Sequence, residues 1–227
     1  MWTVPRAWRG ETAVILGGGP SLQDQLGISL HTRLFKPRVI AVNNSWEIAP
    51  YADVLYFCDS KWWSRMRPKD PALSSYQTNG EAVLAHFGGL AVTISEIEHP
   101  RVKRLRNTGQ RGLETRADGL RHNTNSGAQA INLAYHFGAQ RILLLGFDMR
   151  VNGERTHWHA GHGREAAYVA HMTAKVFAPA FQSLVAPLAA AGVEVINCTP
   201  GSALGCWPKR SFNDVVDDEE RAKCVAA

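Results

Sequence analysis

Short apolar runs alternate with amphipathic segments along most of the chain, which is the pattern of a parallel α/β protein. Five of these runs predict buried strands, and each of them leads into polar residues at its carboxyl end. The five strands are expected at residues 13–16, 38–42, 53–57, 141–145 and 193–196. The sequence therefore predicts a Rossmann-like, mostly parallel sheet with helices on both faces.

The best-defined helix is predicted over residues 126–137, where apolar positions recur on one face. Asn125 or Ser126 is expected as its N-cap, and Gly138 as its C-terminal stop. Residues 163–191 are also helical by composition, and their two prolines are expected to divide the segment into pieces.

Three ranges complete the predicted organisation. Residues 64–120 are rich in Pro, Gly, Arg and His, and we interpret them as an irregular insertion or cap over the strand ends. Residues 213–227 are charged and nearly free of large apolar side chains, which predicts a surface helix or a disordered tail. We expect one nucleotide-binding domain over residues 1–212, followed by this tail.

Composition narrows the class of protein. A chain of 227 residues that is 45% hydrophobic can form one sizeable core. Four scattered cysteines without a Cys-x-x-Cys pair argue against a zinc ribbon and fit a reducing compartment. No apolar segment follows Arg6 and Arg9, and no run approaches the length of a membrane span, so we expect a soluble, cytoplasmic protein. The net charge of +5 is compatible with a nucleic acid or an anionic small substrate, and equally with neither.

The strand predicted at residues 13–16 leads into the sequence Gly-Gly-Gly-Pro-Ser-Leu at residues 17–22. Glycines let the backbone turn sharply and approach a ligand, and free N–H groups at a helix start can face a phosphate. Leu22 stands where the dinucleotide fingerprint has its third glycine, and no Gly-Lys-Ser/Thr follows. This segment therefore predicts a phosphate-binding turn, but neither a standard NAD site nor a P-loop.

Further polar clusters follow the other predicted strands and precede the predicted helix. Ligands of open α/β sheets bind outside the carboxyl ends of the strands, so we expect the clusters to converge at one edge. Each cluster taken alone is also ordinary turn chemistry, since Asn, Asp, Ser and Gly occur wherever strands end. The clusters are residues 17–21, 43–45, 58–59, 123–127, 146–148 and 197–202.

The order of these motifs resembles a known group of enzymes. Gly-Pro-Ser-Leu, Val-Asn-Asn, Asn-Ser-Gly, Leu-Gly-Phe-Asp, Gly-His and Cys-Thr-Pro-Gly-Ser follow one another between Val14 and Pro208. In this the chain resembles bacterial sialyltransferases that use CMP-sialic acid. It equally resembles proteins related to the MptE-type 6-hydroxymethylpterin pyrophosphokinases, a group with small members in bacterial viruses.

The sialyltransferase resemblance implies roles for particular residues. His162 matches the general base, and Asn44 matches the asparagine that contacts the cytidine nucleotide. His159 stands where those enzymes carry a tyrosine that helps the leaving phosphate. The expected catalytic residues are His162, His159 and Asp148. Asp148 could anchor a ribose, a Mg²⁺ ion or a loop. The nucleotide is expected to contact Gly17, Gly18, Gly19, Pro20, Ser21, Asn43, Asn44, Asp59, Asn125, Ser126, Gly127 and Gly146.

The histidine-rich segment at residues 156–163 would attract attention without any resemblance. Histidine titrates close to neutral pH, so it can take a proton from an acceptor hydroxyl during group transfer. A metal site is the competing functional interpretation, formed by His157, His159 and His162 with a nearby aspartate. A surface loop in which the histidines stack or cap is the structural alternative.

Three functional hypotheses follow. The leading one is a nucleotide-dependent transferase, most like a glycosyltransferase, that needs no cofactor and uses a sugar-nucleotide donor. The acceptor stays open among a glycan, a nucleotide and modified DNA, and a homo-oligomer is compatible with the sequence. The second is a pyrophosphokinase or phosphotransferase whose Mg²⁺ is held by Asp59 or Asp148. The third is a nucleotide- or nucleic-acid-binding module that uses the basic residues of range 101–121.

Overall fold

The computed structural model describes residues 1–25, 30, 32, 34–64, 80–153, 155–159 and 165–225. Its centre is a seven-stranded sheet in which every recorded strand pair is parallel, so the predicted α/β class is confirmed. The strands are β1 (Thr12–Leu16), β2 (Arg38–Val42), β3 (Val54–Phe57), β4 (Leu90–Thr93), β5 (Val102–Arg104), β6 (Arg106–Asn107), β7 (Gly119–Leu120), β8 (Arg141–Leu145) and β9 (Glu194–Asn197). The order across the large sheet is β5-β4-β3-β2-β1-β8-β9, and β6 pairs with β7 beside it.

Six α-helices lie within the described residues, and none of the described helices is long and apolar enough to cross a bilayer. Two short 3₁₀ helices, Pro20–Gln25 and Asn43–Glu47, follow β1 and β2. A π-helical segment, Thr173–Phe177, joins α4 to α5. The α-helices are α1 (Ser60–Ser64), α2 (Gly80–His86), α3 (Ser126–Phe137), α4 (Ala166–Met172), α5 (Ala178–Ala190) and α6 (Phe212–Val225).

The helix α3 has the bounds and caps that the sequence predicts. The Asn125 side chain accepts a hydrogen bond from the Ala128 N–H, and Gly138 adopts a left-handed φ of 95° after the last turn. In α5, by contrast, Pro187 does not interrupt the helix, and the irregular turn between the helices is the π segment upstream.

Alternation along the strands sorts their side chains onto the two faces of the sheet. Ala13 and Ile15 of β1 pack on the face that α3 and α5 cover. Val14 and Leu16 pack on the opposite face, together with residues of α1, α2 and α6. Helices therefore cover both faces, and the buried sheet holds the strand ends rigidly in register.

Two segments differ from the sequence-based interpretation. β4 and β5 come from the range 64–120 that was interpreted as a cap, yet they extend the main sheet beyond β3. The C-terminal range is the helix α6, whose Phe212, Val215 and Val216 are buried against the core. Their spacing places all three on one face of the helix, so the disordered-tail alternative is wrong for the residues through 225.

The strand order reverses between β1 and β8. The chain builds outward from β1 to β5 and then crosses to the other side of β1 for β8 and β9. At such a switch point the connections leave in opposite directions, which opens a crevice at the carboxyl ends of the two strands.

Candidate functional site

A cleft of about 530 Å³ lies at this switch point. The carboxyl ends of β1, β2, β3 and β8 form its floor, and the first residues of α3 close one side. Ser21 lies beside the cleft and contacts Asp148, whereas His162 lies outside the described residues. The predicted site residues that line the cleft are Gly17, Gly18, Gly19, Pro20, Asn43, Asn44, Asp59, Asn125, Ser126, Gly127, Gly146, Asp148, His157 and His159.

A second depression, of about 390 Å³, lies at the opposite edge of the sheet and contains none of the predicted site residues. It is bordered by the segments that follow the C-terminal ends of α3 and α5, and its charged side chains are Arg6 and Arg9. Cations near helix C-termini complement the helix dipoles, so these arginines have a structural explanation.

Close packing of the turn explains two of the three glycines after β1. None of them has φ in the left-handed region. A Cβ on Gly17 would lie 2.6 Å from the carbonyl oxygen of Gly146, and one on Gly19 would lie 1.9 Å from Asp148 Oδ2. A Cβ on Gly18 would meet only His157 Cδ2, at 3.3 Å. Two of the glycines are therefore required because the ends of β1 and β8 touch.

Asp148 is 4% exposed and binds the residue that follows the glycine turn. Its Oδ1 accepts from the Ser21 N–H at 3.1 Å, and its Oδ2 accepts from the Ser21 hydroxyl at 2.9 Å. Burial raises the pKa of Asp148, and the two Ser21 bonds and the charge of Arg150 oppose that shift. The carboxylate is thus engaged by the fold on both of its oxygens.

Asn43 and Asn44 line the cleft at the end of β2. Asn43 has a left-handed φ of 52°, which asparagine tolerates better than most residues. Its Oδ1 is buried and has no hydrogen-bond partner among the described residues. The Asn44 Oδ1 accepts from the Trp62 indole N–H at 2.6 Å, so its amide nitrogen is the group left to donate to a ligand.

The N-terminus of α3 faces the same cleft. The first N–H groups of a helix have no intrahelical partner, and Asn125 takes only that of Ala128. The N–H groups of Ser126 and Gly127 are therefore left to bind a ligand. A Cβ on Gly127 would approach Phe147 to 2.7 Å, so this glycine lets the helix start pack on the end of β8.

A partly buried thiol lies next to the helix start. Cys58 Sγ is 3.2 Å from Ser126 Oγ, at the end of β3. Burial raises the pKa of Cys58, with Ser126 and Gln129 as opposing hydrogen-bond partners. A thiol in this state is held protonated, which does not favour a nucleophilic role.

The turn that precedes α3 belongs to the predicted cluster 123–127, and it is held by a residue that sequence reasoning missed, Gln129. Asn123 and Thr124 both have left-handed φ values, 49° and 53°. The Gln129 amide donates to the His122 carbonyl, and its Oε1 accepts from Tyr56 Oη at 2.8 Å. Gln129 is one of three buried polar side chains of α3, with Asn132 and His136, and polar residues at buried positions of a helix are the sequence signal that could have identified this network.

The histidine segment is anchored to the glycine turn by its central residue. The Trp158 N–H donates to the Gly18 carbonyl at 3.2 Å, and the Trp158 side chain is buried. His157 and His159 flank it with ring centroids 5.6 Å apart, and His157 Nδ1 lies 3.0 Å from Thr156 Oγ1. Within the described ranges no group of three or more His, Cys, Asp or Glu side chains could hold a metal ion; the third histidine of the alternative metal site, His162, falls outside those ranges.

An apolar wall faces the polar strand ends, and sequence reasoning missed it. It consists of Tyr168, Val169 and Met172 of α4 and Phe177 of the π segment. None of the residues in α4 is buried. The cleft therefore has one polar side, formed by the sheet and α3, and one apolar side, formed by α4 and its continuation.

Asp59 and five of the seven basic residues of range 101–121 have partners within the fold. Asp59 is exposed, and its Oδ1 accepts from the Lys61 N–H at 2.8 Å at the start of α1. Arg101 donates to the carbonyls of Leu84 and Phe87. Other side chains of the stretch form ion pairs or carbonyl contacts: Arg104 with Glu96, Arg106 and Arg116 with Asp118, and Arg121 with the Arg111 carbonyl. These contacts reduce the charge available to an external anion.

One of the six polar clusters does not line the cleft. In range 197–202, the Thr199 hydroxyl accepts from the Phe147 N–H at 2.9 Å, and Ser202 Oγ donates to the Phe147 carbonyl at 2.6 Å. Asn197 Nδ2 donates to Ser202 Oγ at 2.9 Å. This cluster joins the ends of β8 and β9 and is explained by the fold.

Comparison with known proteins gives only weak structural similarity. No family model and no curated protein match the sequence. The structure is similar to that of the sialyltransferase CstII from Campylobacter jejuni in complex with a substrate analogue, cytidine-5'-monophosphate, at 10% identity and a TM-score of 0.46, over 90% of this chain and 86% of that chain. It is also similar to a 3-ketoacyl-(acyl-carrier-protein) reductase from Brucella melitensis complexed with NADH, at 15% identity and a TM-score of 0.26, over 97% and 92% of the two chains. Similarity at this level does not identify an activity, so function is inferred from the cleft.

Proposed function

We propose that this protein is a nucleotide-dependent transferase, most like a glycosyltransferase, that binds an activated sugar-nucleotide in the cleft at the switch point. The observation that carries the proposal is the convergence of four strand ends and the start of α3 on one cleft of about 530 Å³. This volume falls within the range of about 300–1,000 Å³ that is usual for small-molecule sites.

The cleft offers complementary groups for a nucleotide. The N–H groups of Ser126 and Gly127 are suited to the phosphate, because they point out of a helix N-terminus. The Asn44 amide nitrogen and the unpartnered Asn43 Oδ1 supply a donor and an acceptor for a base or a ribose. The buried Asn43 oxygen costs free energy without a partner, so a ligand donor would gain by filling it.

The proposed chemistry is transfer of the sugar to an acceptor hydroxyl. A histidine of the segment that flanks Trp158 takes the hydroxyl proton as the acceptor oxygen bonds to the anomeric carbon. The bond from that carbon to the phosphate oxygen breaks, and the nucleotide leaves with the electron pair. His162 is the proposed base on the motif resemblance, and His159 lies three residues before it at the cleft wall.

The other two hypotheses gain no support from the contacts described. A Mg²⁺-dependent phosphotransferase needs carboxylates that are free to hold the metal, whereas Asp148 binds Ser21 through both oxygens. Asp59 is then a single candidate carboxylate, and its Oδ1 already accepts from the Lys61 N–H. A nucleic-acid surface on range 101–121 needs unpaired cations, whereas several of these arginines have partners within the chain.

The test is thermal stabilisation of the purified protein by CMP, CDP, UDP, GDP, ADP, ATP and their sugar conjugates, with and without Mg²⁺. We expect at least one sugar-nucleotide to raise Tm without metal, because a ligand of the folded state stabilises it. Asn44→Ala should abolish this increment relative to its own unliganded Tm, and Asn213→Ala, on the exposed face of α6, should retain it. A panel without any shift would refute the proposal, and a shift only with ATP and Mg²⁺ would favour the phosphotransferase.

A further inference from the structure

The turn after β1 looks like a phosphate cradle in sequence, yet most of its N–H groups are already bound. The Gly17 N–H donates to the Leu145 carbonyl at 2.7 Å, and the Gly19 N–H donates to the Gly146 carbonyl at 2.8 Å. The Leu22 N–H donates to the Gly19 carbonyl at 3.1 Å. Pro20 has no N–H, and the Ser21 N–H is taken by Asp148. Only the Gly18 N–H lacks a partner within the part of the chain that the structure describes.

The two hydrogen-bond donors of Ser21, at the end of this turn, are taken by a carboxylate of the protein itself. Asp148 contacts Ser21 with both oxygens, as an anion bound to a backbone N–H and a hydroxyl would do. Its Oδ2 lies 1.9 Å from the place where Gly19 would carry a Cβ, so the carboxylate fills the space that the glycine leaves open. Asp148 is 96% buried, since only 4% of it is exposed.

We infer that Asp148 is a built-in anion that fills the glycine turn, so that the turn is a positioning device and not the phosphate site. Asp148 holds Ser21 and thereby fixes the backbone of residues 17–21, which forms part of the cleft wall. The anionic part of any ligand must then bind elsewhere in the cleft. Asp148 acts through Ser21, and it is a positioning residue instead of a catalytic one.

The inference is independent of the proposed function, because it concerns which anion occupies the turn and not which reaction the cleft performs. It predicts a gain of binding. When the carboxylate is removed, the Ser21 donors and the vacated space should accept a small external anion.

The experiment compares Asp148→Gly with the unmodified protein in sodium formate, sodium phosphate and sodium chloride at equal ionic strength. We expect Asp148→Gly to lower Tm, and formate or phosphate to restore part of the loss beyond the effect of chloride. The recovery is the rise in Tm beyond that of the unmodified protein in the same salt, because phosphate stabilises folded proteins in general and can also bind at the start of α3. Asp59→Asn is the matched control, since Asp59 also follows a strand at the cleft but is exposed. It should show no anion-specific recovery. If formate and phosphate do no more than chloride for Asp148→Gly, the inference is overturned.

A second measurement covers the case in which Asp148→Gly does not fold. Ser21→Ala, Asp148→Asn and the double variant are compared by Tm. Because the two side chains act as one unit, the Tm of the double variant should be close to that of the less stable single variant. Additive losses would mean that Asp148 does not act through Ser21, and would overturn the inference. Nucleotide-induced shifts in the same variants report separately on the proposed function.

Discussion

The triple glycine allows a direct test of whether the turn is shaped by the fold or by a ligand. Gly18→Ala and Gly19→Ala add the same methyl group one residue apart, and neither position has a left-handed φ. The added Cβ at Gly19 would overlap Asp148 Oδ2, at 1.9 Å, and the Gly146 carbonyl oxygen, at 2.7 Å. The added Cβ at Gly18 would meet one ring carbon of His157 at 3.3 Å.

The magnitudes follow from these contacts. Overpacking a rigid site costs about 1–3 kcal/mol. Displacing Asp148 would also weaken its bonds to Ser21, and a hydrogen bond to a charged group contributes about 1.5–3 kcal/mol. We therefore expect Gly19→Ala to lower the free energy of unfolding by about 3–5 kcal/mol. Gly18→Ala should change it by less than about 1 kcal/mol, because the small clash is offset by reduced freedom of the unfolded chain.

The assay is urea unfolding followed by circular dichroism at low temperature, with the m-value checked for each variant. Gly88→Ala is the matched control, since Gly88 has ordinary φ and nothing within 4 Å of its added Cβ. Equal losses in Gly18→Ala and Gly19→Ala would refute the reasoning. In that case contact between the ends of β1 and β8 could not explain why residue 19 is a glycine.

Three further predictions concern residues around the cleft and its supports. Burial raises the pKa of Glu47 to about 7, so its ionisation opposes folding, and the free energy of unfolding falls as pH rises from about 4.5 through about 7. The stability advantage of Glu47→Gln over the parent should therefore grow by about 1–3 kcal/mol between pH 5 and pH 8, after allowance for partial exposure. A pH-independent difference between the two proteins in urea unfolding would contradict this. Trp62→Phe leaves the Asn44 Oδ1 without its donor and should cost about 1–3 kcal/mol in the same assay, more than Trp63→Phe, for which no comparable bond is recorded among the described residues. Gln129→Leu removes the amide that holds the turn before α3. The hydrogen-exchange rate of the backbone amides of residues 122–127 should then rise by about tenfold or more, and an unchanged rate would count against a role of Gln129 in that turn.

The elements that the sequence predicts well are those specified locally. The bounds of β2, β8 and α3 follow from apolar runs and from caps that lie within a few residues, and the structure has them where expected. β4 and β5 are short apolar patches in a range rich in loop-forming residues, so the range was interpreted as a cap and the patches were not assigned to the sheet. β4 and β5 belong to the sheet because β4 pairs with β3 and β5 pairs with β4, and local sequence patterns do not show such pairing.

The glycine turn shows why the candidate site could be located but not interpreted from sequence. Its position in the cleft follows from the strand that precedes it. Its chemistry does not, because the partner of Ser21 is Asp148, 127 residues further along the chain. The same limit applies to the apolar wall, since residues 166–177 read as helical but the direction in which they face depends on the cleft opposite them.

The hydrogen-bond partners of the polar clusters differ in a way that the sequence does not show. In range 197–202 the Thr199 and Ser202 hydroxyls bind the backbone of Phe147, and in range 17–21 the Ser21 donors are used by Asp148. In range 43–45, by contrast, Asn43 Oδ1 is buried without a partner among the described residues. Buried polar groups are satisfied in nearly all native structures, so an exception at the wall of a cleft is the place where a ligand group is expected. We therefore expect ligand specificity to depend more on the asparagines after β2 than on the glycines after β1.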